Sequence, residues 1–80
     1  MSTVILDRVR SIAADILQVD DARLSAESSP ESVESWDSVQ NLNLMLALEQ
    51  EFGLQFEPEE MDRMKNIGQI AAVVSARRGG

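Results

Sequence analysis

The residues best placed to carry chemistry stand in the tetrapeptide Trp36-Asp37-Ser38-Val39. Asp37 is a good helix N-cap, because its carboxylate can accept hydrogen bonds from the free backbone N–H groups of a first turn. Ser38 then falls at the first helical position, with its hydroxyl exposed at the positive end of the helix dipole. Ordinary capping chemistry is the simpler explanation of this Asp-Ser pair, so the pair alone assigns no function.

Ser38 is poorly suited to act as a catalytic nucleophile. A nucleophilic serine needs a base that takes its proton and a further group that orients the base. The chain contains no His and no Cys, and Lys65 is its one lysine, so no such relay is available. The start of a helix is, however, a favourable place for a phosphate group. We therefore interpret Ser38 as a residue that receives a phosphate ester, and we expect the protein not to be an enzyme.

The same residue inventory argues against a metal site. The absence of Cys removes thiolate sites, and the absence of His removes the commonest metal ligand. The pair Asp20-Asp21 lacks the regularly spaced acids and the glycine of a calcium loop. No metal ion is therefore expected.

Helices are needed to position Ser38, and hydrophobic periodicity predicts them. An apolar stripe with spacings of four, three and four predicts a first helix, which Ser2 or Thr3 can cap; its members are Ile5, Val9, Ile12 and Ile16. From about residue 18 to residue 37 the periodicity stops and Ser, Asp and Glu dominate. This pattern predicts a long loop, held down by Leu24, Val33 and Trp36. Loops longer than about 12–15 residues are uncommon in compact domains and are usually functional.

Three more helices are predicted after this loop. The second runs from Asp37 to Phe52 and stops at Gly53. A short third helix begins at Glu57-Pro58-Glu59-Glu60, because Pro suits the first helical position and acids suit the positive end of the dipole. In the fourth, Asn66 and Gln69 resemble a capping box, and the predicted buried residues are Ile67, Ile70, Ala71 and Val74. No stretch alternates long enough to predict a strand. The fold class is therefore all-α, a single domain over residues 1–80 that forms a small four-helix bundle.

The second predicted helix has two apolar sides. At roughly 100° per residue, Leu44, Met45, Leu48 and Phe52 point to one side together with Asn41, while Val39, Leu42 and Leu46 point nearly the opposite way. A surface helix of a bundle needs only one apolar stripe, and exposed apolar patches usually mark interaction sites. We therefore predict that the second stripe faces a partner; the alternative is a central helix buried on both sides.

Acidic residues are concentrated in the middle of the chain. Between Arg23 and Arg63 lie ten Asp and Glu and no Lys or Arg, so the middle carries −10 and the two ends together +3, for a net charge of −7. Such a field repels phosphate backbones, which argues against nucleic acid as a partner, and it favours partners with basic docking patches. A solvated acidic surface that only aids solubility is the alternative. No apolar run approaches 18 residues and no signal-peptide pattern is present, so we expect a cytoplasmic monomer without a membrane partner.

With these elements placed, the sequence resembles the acyl carrier protein family over nearly its whole length. The similarity rests on Asp37-Ser38-Val39, on the Ala47–Gly53 stretch Ala-Leu-Glu-Gln-Glu-Phe-Gly, and on the Pro58-Glu59-Glu60 segment. The resemblance implies that a phosphopantetheinyl transferase attaches 4′-phosphopantetheine from coenzyme A to Ser38. An acyl or aminoacyl group would then travel as a thioester on the thiol of this cofactor, which a chain without Cys cannot supply itself.

The resemblance also implies roles for neighbouring residues. Asp37 would help to present the serine and to hold the magnesium ion of the transferase during loading. Val39 and Leu46 match apolar positions that contact partner enzymes, Leu42 shares their stripe, and Glu49 matches an acid that meets basic patches. The implied partners are the transferase, an acyl- or aminoacyl-loading ligase, and downstream synthase or transferase enzymes.

Three residues depart from the usual fatty-acid carrier. Gln40 and Asn43 stand where that carrier commonly has acids, and Trp36 stands where it commonly has a small residue. These departures favour a dedicated carrier for a specialised pathway, such as polyketide, nonribosomal peptide or modified-acyl synthesis. Trp36 is either a partner contact or a loop anchor packed on the core, since a Trp buries a large area.

Two other interpretations remain open at the level of sequence. The first is a cofactor-free acidic docking module in which Ser38 is only a cap residue. The second starts from the C-terminal Arg77-Arg78-Gly79-Gly80, which resembles the tail of ubiquitin-like modifiers and sulfur carriers. Those proteins have a β-grasp fold, for which this sequence offers no strands, and the tail is better explained as a helix stop followed by a frayed end.

Overall fold

Four helices make up the computed structural model, which describes residues 3–78. They are α1 (Thr3–Leu17), α2 (Ser38–Phe52), α3 (Pro58–Arg63) and α4 (Ile67–Arg77), with a 3₁₀ turn over Asp21–Arg23 between α1 and α2. Residues 3–78 contain no strand, so the prediction of an all-α four-helix bundle is confirmed and a β-grasp fold is excluded for this part of the chain. The predicted cap side chains of Ser2 or Thr3 and the Gly79-Gly80 tail lie outside what the structure describes.

Helix α1 packs against both α2 and α4. Its buried centre is a ridge at spacings of four, formed by Val9, Ala13 and Leu17, whereas Ile5, Ile12 and Ile16 are half-buried at its edges. The predicted stripe therefore faces the core, but its centre is displaced.

The predicted boundaries of the later helices agree with the structure. Helix α2 ends at Gly53, whose left-handed φ of 64° suits glycine. Helix α3 starts with Pro58, and the carboxylate of Glu60 accepts the backbone N–H of Glu57 at 2.9 Å. At the start of α4 the Asn66 side chain accepts the backbone N–H of Gln69 at 2.7 Å, but Gln69 Oε1 accepts the N–H of Lys65 at 3.0 Å and not that of Asn66, so only half of the predicted capping box forms. Val73 joins the predicted buried residues of α4.

The long first loop is attached to the start of α4 by its backbone. The carbonyls of Ala26 and Ser28 accept the N–H groups of Gly68 at 2.8 Å and Ile67 at 3.0 Å. These donors belong to the first turn of α4 and would otherwise lack a partner. A Cβ at Gly68 would lie 3.1 Å from the Ala26 carbonyl oxygen, so glycine permits this close approach. The loop is thereby fixed before it reaches the head of α2.

Candidate functional site

The head of α2 has the arrangement that the sequence predicts. Asp37 is the N-cap, with an extended backbone (φ −98°, ψ −174°), and its Oδ1 accepts the N–H of Gln40 at 2.9 Å. The carbonyl oxygen of Asp37 accepts the N–H of Asn41 at 2.8 Å, which closes the first helical turn. Ser38 is the first residue of α2 and is exposed. Its hydroxyl is therefore held at a fixed helix terminus and is open to solvent.

The side chains near Ser38 do not form a relay that would activate its hydroxyl. The carboxylate of Asp37 is engaged in the cap, and the chain has neither His nor Cys. Among the described residues no three acidic side chains gather closely enough to hold a metal ion. The described residues around Ser38 thus show no base held by an orienting group, which is the arrangement that a nucleophilic serine requires.

Trp36 anchors the loop directly in front of Ser38. Its side chain is only 2% exposed, its indole Nε1–H donates to Asn41 Oδ1 at 2.9 Å, and its backbone N–H donates to the Val33 carbonyl at 3.0 Å. A side chain this deeply buried offers a partner almost no surface. The structure therefore favours the loop-anchor interpretation of Trp36 over the partner-contact interpretation, and Leu24 is buried below the same loop.

Asn41 is the residue of this site that sequence reasoning missed. It lies on the buried side of α2, where its side chain oxygen accepts the indole N–H of Trp36. The sequence contained one indication of this contact. A polar residue among apolar ones on a buried helix face needs a hydrogen-bond partner.

An open cleft lies beside Ser38, between the first loop and the start of α2. It measures about 460 Å³, and its lining residues are Pro30, Trp36, Asp37, Ser38 and Asn41. The serine hydroxyl therefore opens onto a recess with both apolar and polar walls.

The two stripes of α2 have opposite environments. Leu44, Met45, Leu48 and Phe52 are buried, whereas the second stripe is among the most exposed apolar surface of the described residues: Val39 is 68% exposed, Leu42 59% and Leu46 51%. Met61 of α3 is also exposed. The alternative of a helix buried on both sides is therefore wrong, and α2 presents an apolar face beside Ser38.

Glu49 has a structural contact that the sequence did not indicate. Its side chain is half-buried, and its Oε2 accepts the backbone N–H of Phe56 at 2.8 Å. This bond holds the connection between α2 and α3. The role of Glu49 toward basic partner surfaces stays a prediction.

A second carboxylate fixes α3 at the edge of the bundle. Glu60 accepts the backbone N–H of Glu57, which is the main influence that lowers its pKa from the ordinary 4.5. Partial burial opposes this shift, and the guanidinium of Arg77, whose Nη1 lies 2.6 Å from Glu60 Oε1, adds to it.

Comparisons with known proteins decide the family. The family model described as "Phosphopantetheine attachment site" matches residues 7–74. An acyl carrier protein of Thermosynechococcus vestitus is 35% identical over 66 residues, which are 82% of this chain and 82% of that protein. The chain belongs to the acyl carrier protein family. An acyl carrier protein of Clostridium acetobutylicum is 29% identical over 73 residues, covering 91% of this chain and 95% of that protein.

Solved structures agree with this assignment. The solution structure of the holo acyl carrier protein of Geobacter metallireducens superposes with a TM-score of 0.83 at 28% identity, covering 92% of this chain and 85% of that one. That of a holo acyl carrier protein of Nitrosomonas europaea gives 0.81 at 25% identity, covering 94% and 96%.

Family membership answers the functional question in its general form. The protein is a carrier and not an enzyme, and it bears acyl groups as thioesters on a covalently attached 4′-phosphopantetheine arm. A cofactor-free docking module is therefore excluded. The exposed Ser38 hydroxyl fits the arm, because a phosphodiester link needs an accessible hydroxyl.

As a family member the carrier works with phosphopantetheinyl transferases and with synthases and transferases in general. No helix among residues 3–78 is long and apolar enough to cross a membrane.

Proposed function

We propose that Ser38 is the residue to which the arm is attached and that Asp37 presents it to the transferase. The observation that carries this proposal is the exposed position of Ser38 at the first residue of α2, directly behind the Asp37 cap. The cap fixes the backbone of the first turn, so the serine hydroxyl is displayed at a defined place. The site is also the positive end of a 15-residue helix, where a phosphodiester is electrostatically favoured.

The loading reaction needs little from the carrier itself. The Ser38 oxygen bonds to the phosphorus that carries the pantetheine, the pyrophosphate bond of coenzyme A breaks, and adenosine 3′,5′-bisphosphate leaves. The proton of the serine hydroxyl passes to a base of the transferase. We assign to Asp37 a contact with the magnesium ion of that enzyme. Once attached, the arm supplies the thiol on which the acyl group is carried.

The second stripe of α2 is the proposed docking face for partner enzymes. Val39, Leu42 and Leu46 are exposed on the helix that begins with Ser38, so a partner seated on them would also face the arm. Apolar residues this exposed lose contact with water when a partner binds, which favours association. Glu49 is assigned to the rim of this face, and Trp36 is assigned to anchoring the loop, not to contacting the partner.

We further propose that the carrier serves a specialised pathway, as a single-domain monomer over residues 1–80 in the cytoplasm. Gln40 and Asn43 support this proposal, because they leave the exposed start of α2 without two acids that fatty-acid carriers commonly have. Its partners would be a dedicated acyl- or aminoacyl-loading ligase and a downstream synthase or transferase. The cytoplasm is proposed because it holds the coenzyme A from which the arm comes.

The attachment site is tested by intact-mass measurement. The full chain, incubated with coenzyme A and a broad-specificity phosphopantetheinyl transferase, should gain the mass of one phosphopantetheine group. Ser38→Ala should gain none. Ser35→Ala, an exposed serine three residues earlier, is the matched control and should load like the unsubstituted protein. Loading of Ser38→Ala would refute the assignment, and so would a failure of the unsubstituted protein with several transferases.

A further inference from the structure

We infer that the cleft beside Ser38 is a binding site for the near end of the phosphopantetheine arm, with Asn41 as its hydrogen-bond donor. This inference rests on the proposed attachment to Ser38. The serine is itself one of the five residues that line the cleft, together with Pro30, Trp36, Asp37 and Asn41. A group joined to the serine oxygen therefore begins at the rim of this recess, so its local concentration there is high.

The orientation of the Asn41 amide is fixed by Trp36. The indole Nε1–H is a donor only, so the atom that lies 2.9 Å from it must be the amide oxygen. The amide nitrogen consequently points away from the indole, and no described residue accepts a hydrogen bond from it. Asn41 is half-buried and lines the cleft. Its two N–H groups can therefore donate hydrogen bonds to an oxygen atom at the place where the arm begins.

The chemistry of the arm matches the walls of the cleft. After the phosphate and one methylene group the arm has a carbon with two methyl groups, and then a hydroxyl and an amide carbonyl. The exposed ring of Pro30 offers apolar surface to the methyl groups, and Asn41 offers N–H groups to an oxygen of the arm. The volume of about 460 Å³ lies within the about 300–1,000 Å³ that is typical of small-molecule sites.

Asp37 is the one charged residue in the lining and limits where the phosphate can lie. Its Oδ1 is engaged with the N–H of Gln40, and its negative charge repels the phosphodiester. The phosphate is therefore placed at the rim, and the neutral part of the arm enters the recess. Trp36 acts as a positioning residue, because it orients the Asn41 amide and supports one wall.

Nuclear magnetic resonance of the apo and holo forms tests the inference without any partner enzyme. The expected result is a shift of the Trp36 indole N–H and the Asn41 side-chain NH₂ signals on loading, with Overhauser contacts between the arm methyl groups and Trp36 or Pro30. The side-chain NH₂ of Asn43, which donates to Gln40 Oε1 and does not line the cleft, is the internal control and should not shift.

A substitution separates the donor role of Asn41 from its packing role. Asn41→Asp keeps an oxygen for the Trp36 indole but removes the N–H groups and adds a negative charge to the cleft, so the Overhauser contacts in purified holo-protein should be lost. Asn43→Asp makes the same change outside the cleft and should keep them. Loading at Ser38 without shifts or contacts in the unsubstituted protein would overturn this inference and leave the proposed attachment intact. An unloaded protein would instead refute the attachment itself.

Discussion

At the scale of single residues, two amides at the start of α2 bond to each other. Asn43 Nδ2 donates to Gln40 Oε1 at 3.0 Å, one helical turn apart, in a part of the chain where the other exposed polar side chains are largely acidic. The pair adds no charge to the negative field of this part of the chain. Charge complementarity mainly sets encounter rate and partner choice. We therefore expect the amide pair to affect which enzymes recognise the carrier more than it affects the free energy of unfolding.

Restoring the acids should widen the set of partners. We expect Gln40→Glu/Asn43→Asp to improve use of the holo-protein by fatty-acid synthase components, and the gain should shrink as salt is added because surface charges are screened. The free energy of unfolding should change little. Repulsion between acids three residues apart, about 0.2–0.5 kcal/mol, is opposed by the positive end of the helix. Steady-state kinetics at several salt concentrations measure this effect.

A second double variant tests whether the position of the added charge matters, and not only its amount. Gln18→Glu/Gln55→Glu adds the same net charge at exposed sites away from the start of α2 and should not improve turnover. Efficient use of the unsubstituted holo-protein by the fatty-acid enzymes would contradict the proposed specialised pathway.

At the scale of elements, α2 carries two faces whose separation follows from helical geometry. Leu46 and Leu48 are two residues apart, so about 200° of rotation separates their side chains. The structure places Leu48 fully in the core and leaves Leu46 51% exposed. One helix thereby both holds the bundle together and presents an apolar face next to the attachment site.

Truncation of these two leucines should have opposite consequences. Leu48→Ala should lower the free energy of unfolding by about 2–5 kcal/mol, because it leaves a cavity in the core. Leu46→Ala should leave the melting transition nearly in place but slow loading or transfer by a partner enzyme. Thermal unfolding and transferase kinetics on the two variants measure this. If Leu46→Ala unfolds the protein as readily as Leu48→Ala, the second stripe is not a docking face.

The elements that could be predicted from sequence are those whose signals are local. The ends of α2 follow from Asp37 and Gly53, and its two stripes follow from spacing alone. The path of the first loop could not be predicted, because it depends on bonds from Ala26 and Ser28 to residues about 40 positions away in the sequence. The contact between Glu49 and Phe56 was missed for a similar reason, since a side-chain bond to loop backbone leaves no periodic signal.

At the scale of the whole molecule, basic residues near the chain ends contact the end of α2, which belongs to the acidic middle of the chain. The guanidinium groups of Arg8 and Arg78 lie 5.5 and 5.6 Å from the centre of the Phe52 ring, at the end of α2. Arg8 also pairs with Glu51, and Arg78 donates to the Phe52 carbonyl at 3.2 Å. The concentration of charge in the sequence is thus partly neutralised by the fold, close to the end of α2.

Arg77 makes the corresponding connection to α3. Its Nη1 donates to the Gln55 carbonyl at 2.9 Å and to Glu60 at 2.6 Å. Helix α3 itself contributes no buried residue to the core. Its position against α4 therefore depends on these polar contacts. The stability of the fold should consequently depend on whether Glu60 is ionised.

Acidification should weaken the contact between Glu60 and Arg77, and Glu60→Gln should show how much the charge of Glu60 contributes to the free energy of unfolding. The pKa of Glu60 is lower in the folded protein than its ordinary 4.5, so the folded state favours the ionised form. The resulting stabilisation is fully present at neutral pH and is lost as the pH falls from 4.5 through the lower pKa of the folded state. Glu60→Gln keeps an oxygen for the Glu57 N–H but has no charge. It should unfold more easily than the unsubstituted protein at neutral pH and match it well below pH 4.5.

Denaturant unfolding across this pH range measures the difference, and Glu59→Gln, which removes the same charge from an exposed position of α3, controls for net charge. Hydrogen exchange adds a local readout, because the amides of α3 should lose protection in Glu60→Gln before those of α2. A Glu60→Gln protein whose stability follows pH in parallel with the unsubstituted chain would show that the charge of Glu60 does not secure α3. In that case the packing of Met64, which is buried directly after α3, would be left to hold the helix in place.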